Sequence, residues 1–192
     1  MDSIKPSNSS PLEQFSILSK YKQLDLAKLA LLFAMCEYPD LNIDEELQSL
    51  DSLASVAKTR INPDSDPISQ INALSEYLFD EVGFQGNYQD YYDPRNSFLN
   101  EVLNRRQGIP ITLSLLYIEV GKRLGIQLEG VGMPGHFLVR MKNDHAGLYI
   151  DPFHRGILLS QEECTKMLEA IAGQSIIWDQ NYLAPVNNIE LI

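Results

Sequence analysis

Residues 96–153 read NSFLNEVLNRRQGIPITLSLLYIEVGKRLGIQLEGVGMPGHFLVRMKNDHAGLYIDPF, and this stretch decides the fold. Almost every residue from Ile111 to Leu124 is apolar or small, which predicts a helix that is buried on all sides. Pro110 suits the first turn of this helix because no N–H donor is needed there, and Gly125 suits its left-handed end. The stretch therefore predicts a buried central helix, with a different pattern after it.

That later pattern consists of short extended segments. We predict strands over residues 127–131, 136–141 and 147–150. The sequence GMPG at residues 132–135 predicts the first turn, and a polar turn near Asn143 precedes the third strand. Because the connections are short, the strands are expected to form an antiparallel meander.

Helices are predicted on both sides of this stretch. Apolar residues recur at intervals of three and four over residues 12–34, 42–57 and 68–79, which predicts three amphipathic helices. A last helix is predicted from Ser160 to Ala172 after a short extended piece. The sequence thus predicts an α+β protein.

A polar, tyrosine-rich loop is predicted at residues 83–96. Long loops in compact domains often carry function. Tyr88, Tyr91 and Tyr92 either line a pocket here or cover the core with their hydroxyl groups in water.

Composition limits the classes of function. The chain has 192 residues and a net charge of -11, which argues against unspecific binding to nucleic acid or to an anionic membrane. Cys36 and Cys164 lie far apart and form no CxxC pair, so no disulfide framework or zinc knuckle is predicted. The N-terminus has no apolar signal segment, and the apolar run near it is too short to span a bilayer. We expect a soluble, cytoplasmic protein.

Three phrases resemble the transglutaminase-like superfamily, and its SirB-type branch in particular. They are NSFLNEVLNRRQGIPITLSLLY, EGVGMPGHFLVRM and YIDPFHRG. The resemblance implies a papain-like core, in which a buried central helix lies against a small antiparallel sheet with the N-terminal helices packed on it. We therefore predict a disordered lead-in at residues 1–10, a helical region at 11–80 and the core at 81–192, the last two forming one unit.

The resemblance also assigns site residues. His136 matches the catalytic imidazole, and Asp151 matches the residue that orients it, so we predict that the two side chains are in contact. The cysteine nucleophile of the superfamily falls at or near Thr112, and the helix contains no cysteine. Thr112 is either a nucleophile, which needs full general-base help, or a hydroxyl that satisfies the start of the helix. Ser114 is offset to the far side, and Cys164 is expected to be a small buried thiol.

The other histidines have simpler interpretations. His145, in a polar turn, is expected to be exposed to solvent. A metal site formed by His136, Asp151 and His154 is allowed by ligand type, but the ligand spacing is not compact. We predict no metal and no cofactor.

Three functions follow from these observations. The first is a transglutaminase-like protein without its nucleophile that binds a peptide or protein as a non-catalytic or regulatory module. The second is a hydrolase or acyl transferase acting on amide bonds, with Thr112 attacking, His136 as base and Asp151 as orienter. The third is a helical scaffold whose cleft is vestigial.

Overall fold

The computed structural model describes residues 10–20, 25–142 and 147–186. The predicted lead-in, apart from its last residue, lies outside the described residues, as do the turn near Asn143 and the exposed position predicted for His145. The division of the chain at residues 10 and 80 stays a prediction.

Seven α-helices lie in the described part of the chain. They are α1 Pro11–Leu18, α2 Leu26–Ala34, α3 Ile43–Ala57, α4 Pro67–Ser75, α5 Leu99–Arg105, α6 Pro110–Arg123 and α7 Gln161–Ala172. A π-helical turn, Glu76–Glu81, continues α4, and three short 3₁₀ turns span Pro94–Ser97, Pro152–His154 and Gln180–Leu183.

Six short strands form two sheets in the described residues. The strands are β1 Gln85–Gly86, β2 Gln107–Gly108, β3 Leu128–Met133, β4 His136–Met141, β5 Tyr149–Asp151 and β6 Ile157–Leu159. Strands β3 to β6 make an antiparallel sheet in chain order, so the predicted meander is confirmed and β6 extends it by a strand.

The first turn of this sheet is tighter than predicted. Gly132 and Met133 belong to β3, and Met133 pairs with His136. The turn is therefore made by Pro134 and Gly135 alone, and Gly135 takes the left-handed conformation that glycine adopts at little cost. As a result His136 is the first residue of β4 and lies at the end of an inner strand of the sheet.

Helix α6 is the buried centre of the molecule, as predicted. Leu113, Leu116, Tyr117 and Val120 are fully buried on it, and strands β3 and β4 and helices α2 and α3 all pack against it. This is the α+β arrangement of N-terminal helices on a core of central helix and small sheet.

The single helix predicted over residues 12–34 is wrong. Two helices lie there, because the carboxylate of Asp25 accepts a hydrogen bond from the Lys28 N–H and starts α2 anew. The apolar spacing alone could not reveal this break, because apolar residues recur at helical intervals in both helices. The start of α1 matches the pattern of Ser10, Pro11 and Glu13, which form a capping box.

The helix predicted over residues 68–79 is close to α4, but it widens at its end. The N–H of Val82 donates to the carbonyl of Tyr77, and the widened turn buries Tyr77, Leu78 and Phe79. Among the described residues no helix is both long and apolar enough to cross a membrane.

A parallel pairing was not predicted. Strand β1 begins the tyrosine-rich loop, and β2 directly precedes α6. The Asn87 N–H donates to the carbonyl of Gly108, which places the loop beside the start of the central helix.

Candidate functional site: the start of the central helix and a His–Asp–His cluster

Thr112 lies in the first turn of α6 and is nearly buried, with 6% of its surface exposed. Its hydroxyl oxygen lies 2.7 Å from the carbonyl of Asn96, to which it donates, and 3.2 Å from the carbonyl of Ile109. The same oxygen accepts the N–H of Ile109 at 3.2 Å. Main-chain groups therefore take both the hydroxyl proton and a lone pair.

Local sequence explains this arrangement. The first N–H groups of a helix have no partner within the helix, and Ile109, which precedes α6, has no polar side chain to cap them. Thr112 reaches back to Ile109 in the way that a capping-box residue does. The helix-start interpretation of Thr112 is the one that the hydrogen bonds match.

His136 and Asp151 are brought together by neighbouring strands. His136 begins β4 and Asp151 ends β5, and Nε2 of the imidazole lies 2.8 Å from Oδ2 of the carboxylate. The predicted contact is therefore present. Asp151 is fully buried, and its Oδ1 accepts the N–H groups of Phe153 and His154 at 3.1 and 3.2 Å.

His154 joins the same carboxylate. Its Nδ1 lies 2.7 Å from Asp151 Oδ2, the oxygen that also faces His136. The His154 side chain is 39% exposed, whereas that of His136 is 6% exposed. One buried carboxylate oxygen is thus shared by two imidazoles, of which one is open to solvent.

The cluster shifts the pKa values of its members. Burial pushes the pKa of Asp151 upward, but the hydrogen bonds and charges of His136 and His154 outweigh burial and lower this pKa to about 2. The hydrogen bond to Asp151 raises the pKa of His154 above its usual value, against the opposing effect of partial burial. Asp151 is therefore a carboxylate at neutral pH.

Within the described residues, no hydroxyl or thiol is hydrogen-bonded to His136. Its Nδ1, the nitrogen that faces away from Asp151, makes no hydrogen bond there, and Thr112 bonds only to main-chain groups. Cys164 is buried, and burial, followed by the charge of Asp151, raises the pKa of its thiol to about 12. Ser114 is fully buried, and its hydroxyl has no partner in the described part of the chain.

An aromatic surface lies next to the cluster. Tyr88, Tyr91 and Tyr92 are 62%, 39% and 92% exposed. The ring of Tyr88 lies 4.6 Å from that of Phe153 and 5.9 Å from that of His154. We call Tyr88, Tyr91, Tyr92 and Phe153 the tyrosine surface. Its tyrosine side chains are accessible to a partner, and the ring of Phe153 contacts those of Tyr88 and Tyr91.

Asn96 holds the loop that carries these tyrosines. Its side chain is fully buried, donates to the carbonyls of Asp90 and Tyr91 at 2.8 and 3.2 Å, and accepts from the amide of Asn87 at 3.1 Å. The carbonyl of Asn96 accepts the Thr112 hydroxyl. The Thr112 hydroxyl thus connects α6 to the tyrosine-bearing loop.

Comparison of the sequence with known proteins identifies the family. A sequence profile of the transglutaminase-like superfamily matches residues 44–192. The chain belongs to the transglutaminase-like superfamily. No solved structure gives a significant match.

Relatives from this superfamily occur in bacteria and animals. A UPF0162 protein of Xylella fastidiosa is 41% identical over 165 residues, which are 86% of this chain and 58% of that protein. A UPF0162 protein of Vibrio cholerae is 27% identical over 90% of this chain and 64% of its own length. Human F-box only protein 21 is 39% identical over 114 residues, 55% of this chain and 18% of that protein. The chain spans 58% and 50% of two Xylella fastidiosa proteins, about half the length of these curated relatives.

Sequence reasoning missed the role of Asn96 and understated that of His154. The order Asp151-Pro-Phe-His154 contains the signal, because a tight turn after a strand returns the fourth side chain to the first. Asn96 gives no comparable signal, since its partners are main-chain carbonyls and the amide of Asn87 in an irregular loop, which show no sequence period.

Proposed function

We propose that this transglutaminase-like domain is a pseudoenzyme that binds a polypeptide and does not cleave or cross-link it. The observation that carries the proposal is the Thr112 hydroxyl, whose proton is held by the carbonyl of Asn96 at 2.7 Å. A hydroxyl in this position lacks the general base that a nucleophile requires. The retained His136–Asp151 pair then serves to hold the ends of β4 and β5 together beside the binding surface.

The tyrosine surface is the proposed contact area. Exposed tyrosines supply large apolar faces and a polar tip at low cost in side-chain entropy, which is why they are enriched where proteins bind one another. Tyr92 has almost its whole surface accessible, and Tyr91 and Tyr92 pack against each other with ring centroids 5.4 Å apart. A partner that covers these two rings removes their apolar surface from water, which favours binding.

The chemistry of the partner follows from charge. With a net charge of -11, the chain attracts basic segments at long range, and the faces of tyrosine rings attract lysine and arginine side chains at short range. We therefore propose a polypeptide segment that contains lysine or arginine. The similarity to F-box only protein 21, which covers 55% of this chain, supports a role in protein–protein interaction.

The setting belongs to the same proposal. Cys36 is exposed and unpaired and Cys164 is buried and unpaired, which fits a reducing, cytoplasmic compartment. The acidic charge supports a partner that is neither nucleic acid nor membrane. Within the superfamily we favour the SirB-type branch, because the three phrases in residues 96–156 resemble that branch.

A hydrolase or acyl transferase remains the second candidate, because the His136–Asp151 contact of 2.8 Å is the base–orienter half of a triad. In this account Thr112 attacks, His136 accepts its proton and Asp151 orients the imidazole. It requires the Thr112 side chain to leave both main-chain carbonyls and turn toward His136.

Two assays separate these candidates. Peptidyl-coumarin amides, nitrophenyl esters and transfer of a labelled primary amine to glutamine peptides test for turnover. We expect no turnover above the background measured with the His136→Ala variant. Turnover that His136→Ala and Thr112→Ala both abolish would overturn the proposal and establish the second candidate.

Binding is tested by selection from a displayed random peptide library. We expect lysine- or arginine-containing peptides whose affinity falls with rising salt concentration and is lost in the Tyr92→Ala variant. Ile177→Ala is the matched control, because Ile177 is also 92% exposed and is not part of the tyrosine surface. Peptides that bind the Tyr92→Ala variant as well as the unaltered protein would exclude this surface.

A further inference from the structure

We infer that His136, Asp151 and His154 form a binding site for one divalent transition-metal ion of the zinc type. Two imidazole nitrogens and one carboxylate oxygen lie within 4.8 Å of one another. This site goes beyond polypeptide binding, and the two are tested separately. The prediction of no metal, made from the loose spacing in the sequence, did not foresee that the turn after β5 returns His154 to Asp151.

The donor atoms fit such an ion. Zinc prefers nitrogen and carboxylate oxygen ligands at about 2.0–2.2 Å, and three of them with one open position form a common four-coordinate site. Ligand atoms around a tetrahedral zinc are about 3.3 Å apart. Nε2 of His136 and Nδ1 of His154 now lie 2.8 and 2.7 Å from Oδ2 of Asp151, so these two separations would widen by about half an ångström. The two nitrogens, which lie within 4.8 Å of each other, would settle at about the same spacing.

The central ligand is already oriented. Oδ1 of Asp151 is held by the N–H groups of Phe153 and His154, which turns Oδ2 toward both imidazoles. Outer hydrogen bonds of this kind fix a ligand and strengthen metal sites.

Protons have a place to go. In the hydrogen-bonded cluster the facing nitrogens of His136 and His154 donate to one carboxylate oxygen, so at least one proton lies between each pair. When a metal binds, the proton of His136 moves to its Nδ1 and the proton of His154 moves to its Nε2. These two nitrogens make no hydrogen bonds among the described residues. If His154 carries a second proton, that proton is released to solvent.

The site is open on one side. The His154 side chain is 39% exposed, so an ion reaches the cluster past His154 while His136 and Asp151 stay covered. The fourth position would be taken by water or by a group of a bound partner.

The test uses the full chain, freed of metal with EDTA and titrated with Co²⁺ and then Zn²⁺. We expect one equivalent of Co²⁺ to give the visible absorption bands of a four-coordinate ion, and Zn²⁺ to displace it. His154→Ala should weaken Zn²⁺ binding at least about tenfold, because loss of a ligand costs no less than loss of an outer hydrogen bond. This variant keeps the His136–Asp151 contact and is expected to fold.

His145→Ala is the matched control, since it removes the third histidine of the chain and should leave affinity unchanged. His136→Ala should weaken binding as His154→Ala does. The inference is overturned if the unaltered chain binds no stoichiometric Co²⁺ or Zn²⁺, or if His154→Ala binds as tightly as the unaltered chain. Because the metal alone is the probe, failure here leaves the peptide-binding result unaffected.

Discussion

Thr112 connects the start of α6 to the loop that carries the tyrosines. Its hydroxyl donates to the carbonyl of Asn96 and accepts from the N–H of Ile109. Asn96 is fully buried and Ile109 is half-buried. A buried polar group that loses its partner is costly, whereas the same loss at the surface is replaced by water. The side chain at this position therefore stabilises the fold through its oxygen.

Replacing Thr112 by valine tests this role. Valine has nearly the same shape but no hydroxyl, so we expect the free energy of unfolding in urea to fall by about 1–3 kcal/mol. Thr112→Ser keeps the oxygen and should lose less than about 1 kcal/mol. Thr59→Val is the control, because the Thr59 hydroxyl is exposed and its change should stay within about 0.5 kcal/mol. Equal stability of the Thr112→Val and unaltered proteins would show that the bonds contribute nothing.

The pKa of Asp151 predicts how stability depends on acid. The folded-state pKa of about 2 lies below the ordinary 3.8, so the carboxylate stabilises the fold at every pH above 3.8, and this stabilisation is lost as pH falls toward 2. The shift corresponds to roughly 2 kcal/mol. In EDTA, the stability difference between the unaltered protein and Asp151→Asn should shrink between pH 5 and pH 2. A difference that stays constant over this range would contradict the assignment.

The pKa shift of His154 predicts the opposite dependence of stability on pH. Its pKa is raised in the folded state, so its contribution is present below its ordinary pKa and is lost as pH rises through the folded value. In EDTA, His154→Ala should therefore cost more stability at pH 6 than at pH 9, as measured by urea unfolding. A larger cost at pH 9 would contradict the pairing with Asp151.

Residue-scale features divide by how visible they are in sequence. The His136–Asp151 contact was predictable because the family resemblance places the two on neighbouring strands. The direction of the Thr112 side chain was left as two alternatives, because a threonine at a helix start suits a cap as well as a nucleophile. The hydrogen bonds of Thr112 to Asn96 and Ile109 favour the cap, and these positions could not be predicted from the sequence.

At the scale of elements, the buried amide of Asn96 is one of the anchors of the tyrosine loop. Asn96 donates to the carbonyls of Asp90 and Tyr91, and β1 pairs with β2 at the base of the loop. A loop held by few buried contacts opens when those contacts are removed.

Asn96→Ala should therefore release the loop. We expect hydrogen exchange at residues 88–93 to accelerate, and peptides that bind the tyrosine surface to lose affinity. Asn62→Ala is the control, because Asn62 organises a different, exposed turn through the N–H of Asp64. Unchanged exchange at residues 88–93 in Asn96→Ala would show that the loop is held by other contacts.

The positions of helices and strands were predicted well where the apolar pattern was strong. They were predicted poorly where a polar cap set a helix boundary or where a strand has two residues. Helices α3, α6 and α7 and strands β3 and β4 matched their periodicity. The break between α1 and α2 was missed because it depends on the carboxylate of Asp25. Strands β1 and β2 are too short to show a pattern, since each has two residues.

At the scale of the whole molecule, the N-terminal helices and the sheet both pack against α6. Tyr117 on α6 is fully buried, stacks on Phe79 with centroids 6.0 Å apart, and its hydroxyl lies 2.9 Å from Ser75 Oγ and 3.2 Å from the Ile71 carbonyl. Removing the N-terminal helices would expose this face of α6 to water.

We therefore predict that residues 81–192 alone do not fold. The fragment should lack a cooperative thermal transition by circular dichroism, whereas the whole chain should unfold in one transition. A folded, cooperative fragment would contradict the shared core and would place a domain boundary near residue 80.

The family could be read from sequence because long phrases carry it, and the overall architecture follows from the family. Function could not be read in the same way. It depends on where one hydroxyl points and on which groups surround one carboxylate, and these are set by packing between segments that are distant in sequence.

The most direct test of a structural, non-catalytic Thr112 is the pKa of a thiol placed there. The Thr112→Cys variant is made in a Cys36→Ser background, because Cys36 is exposed while Cys164 is buried. The rate of alkylation by iodoacetamide is then followed against pH. We predict a pKa at or above the ordinary value of about 8.5, unchanged by His136→Ala. A pKa several units lower that His136→Ala restores would reveal a thiolate–imidazolium pair, and would contradict the account.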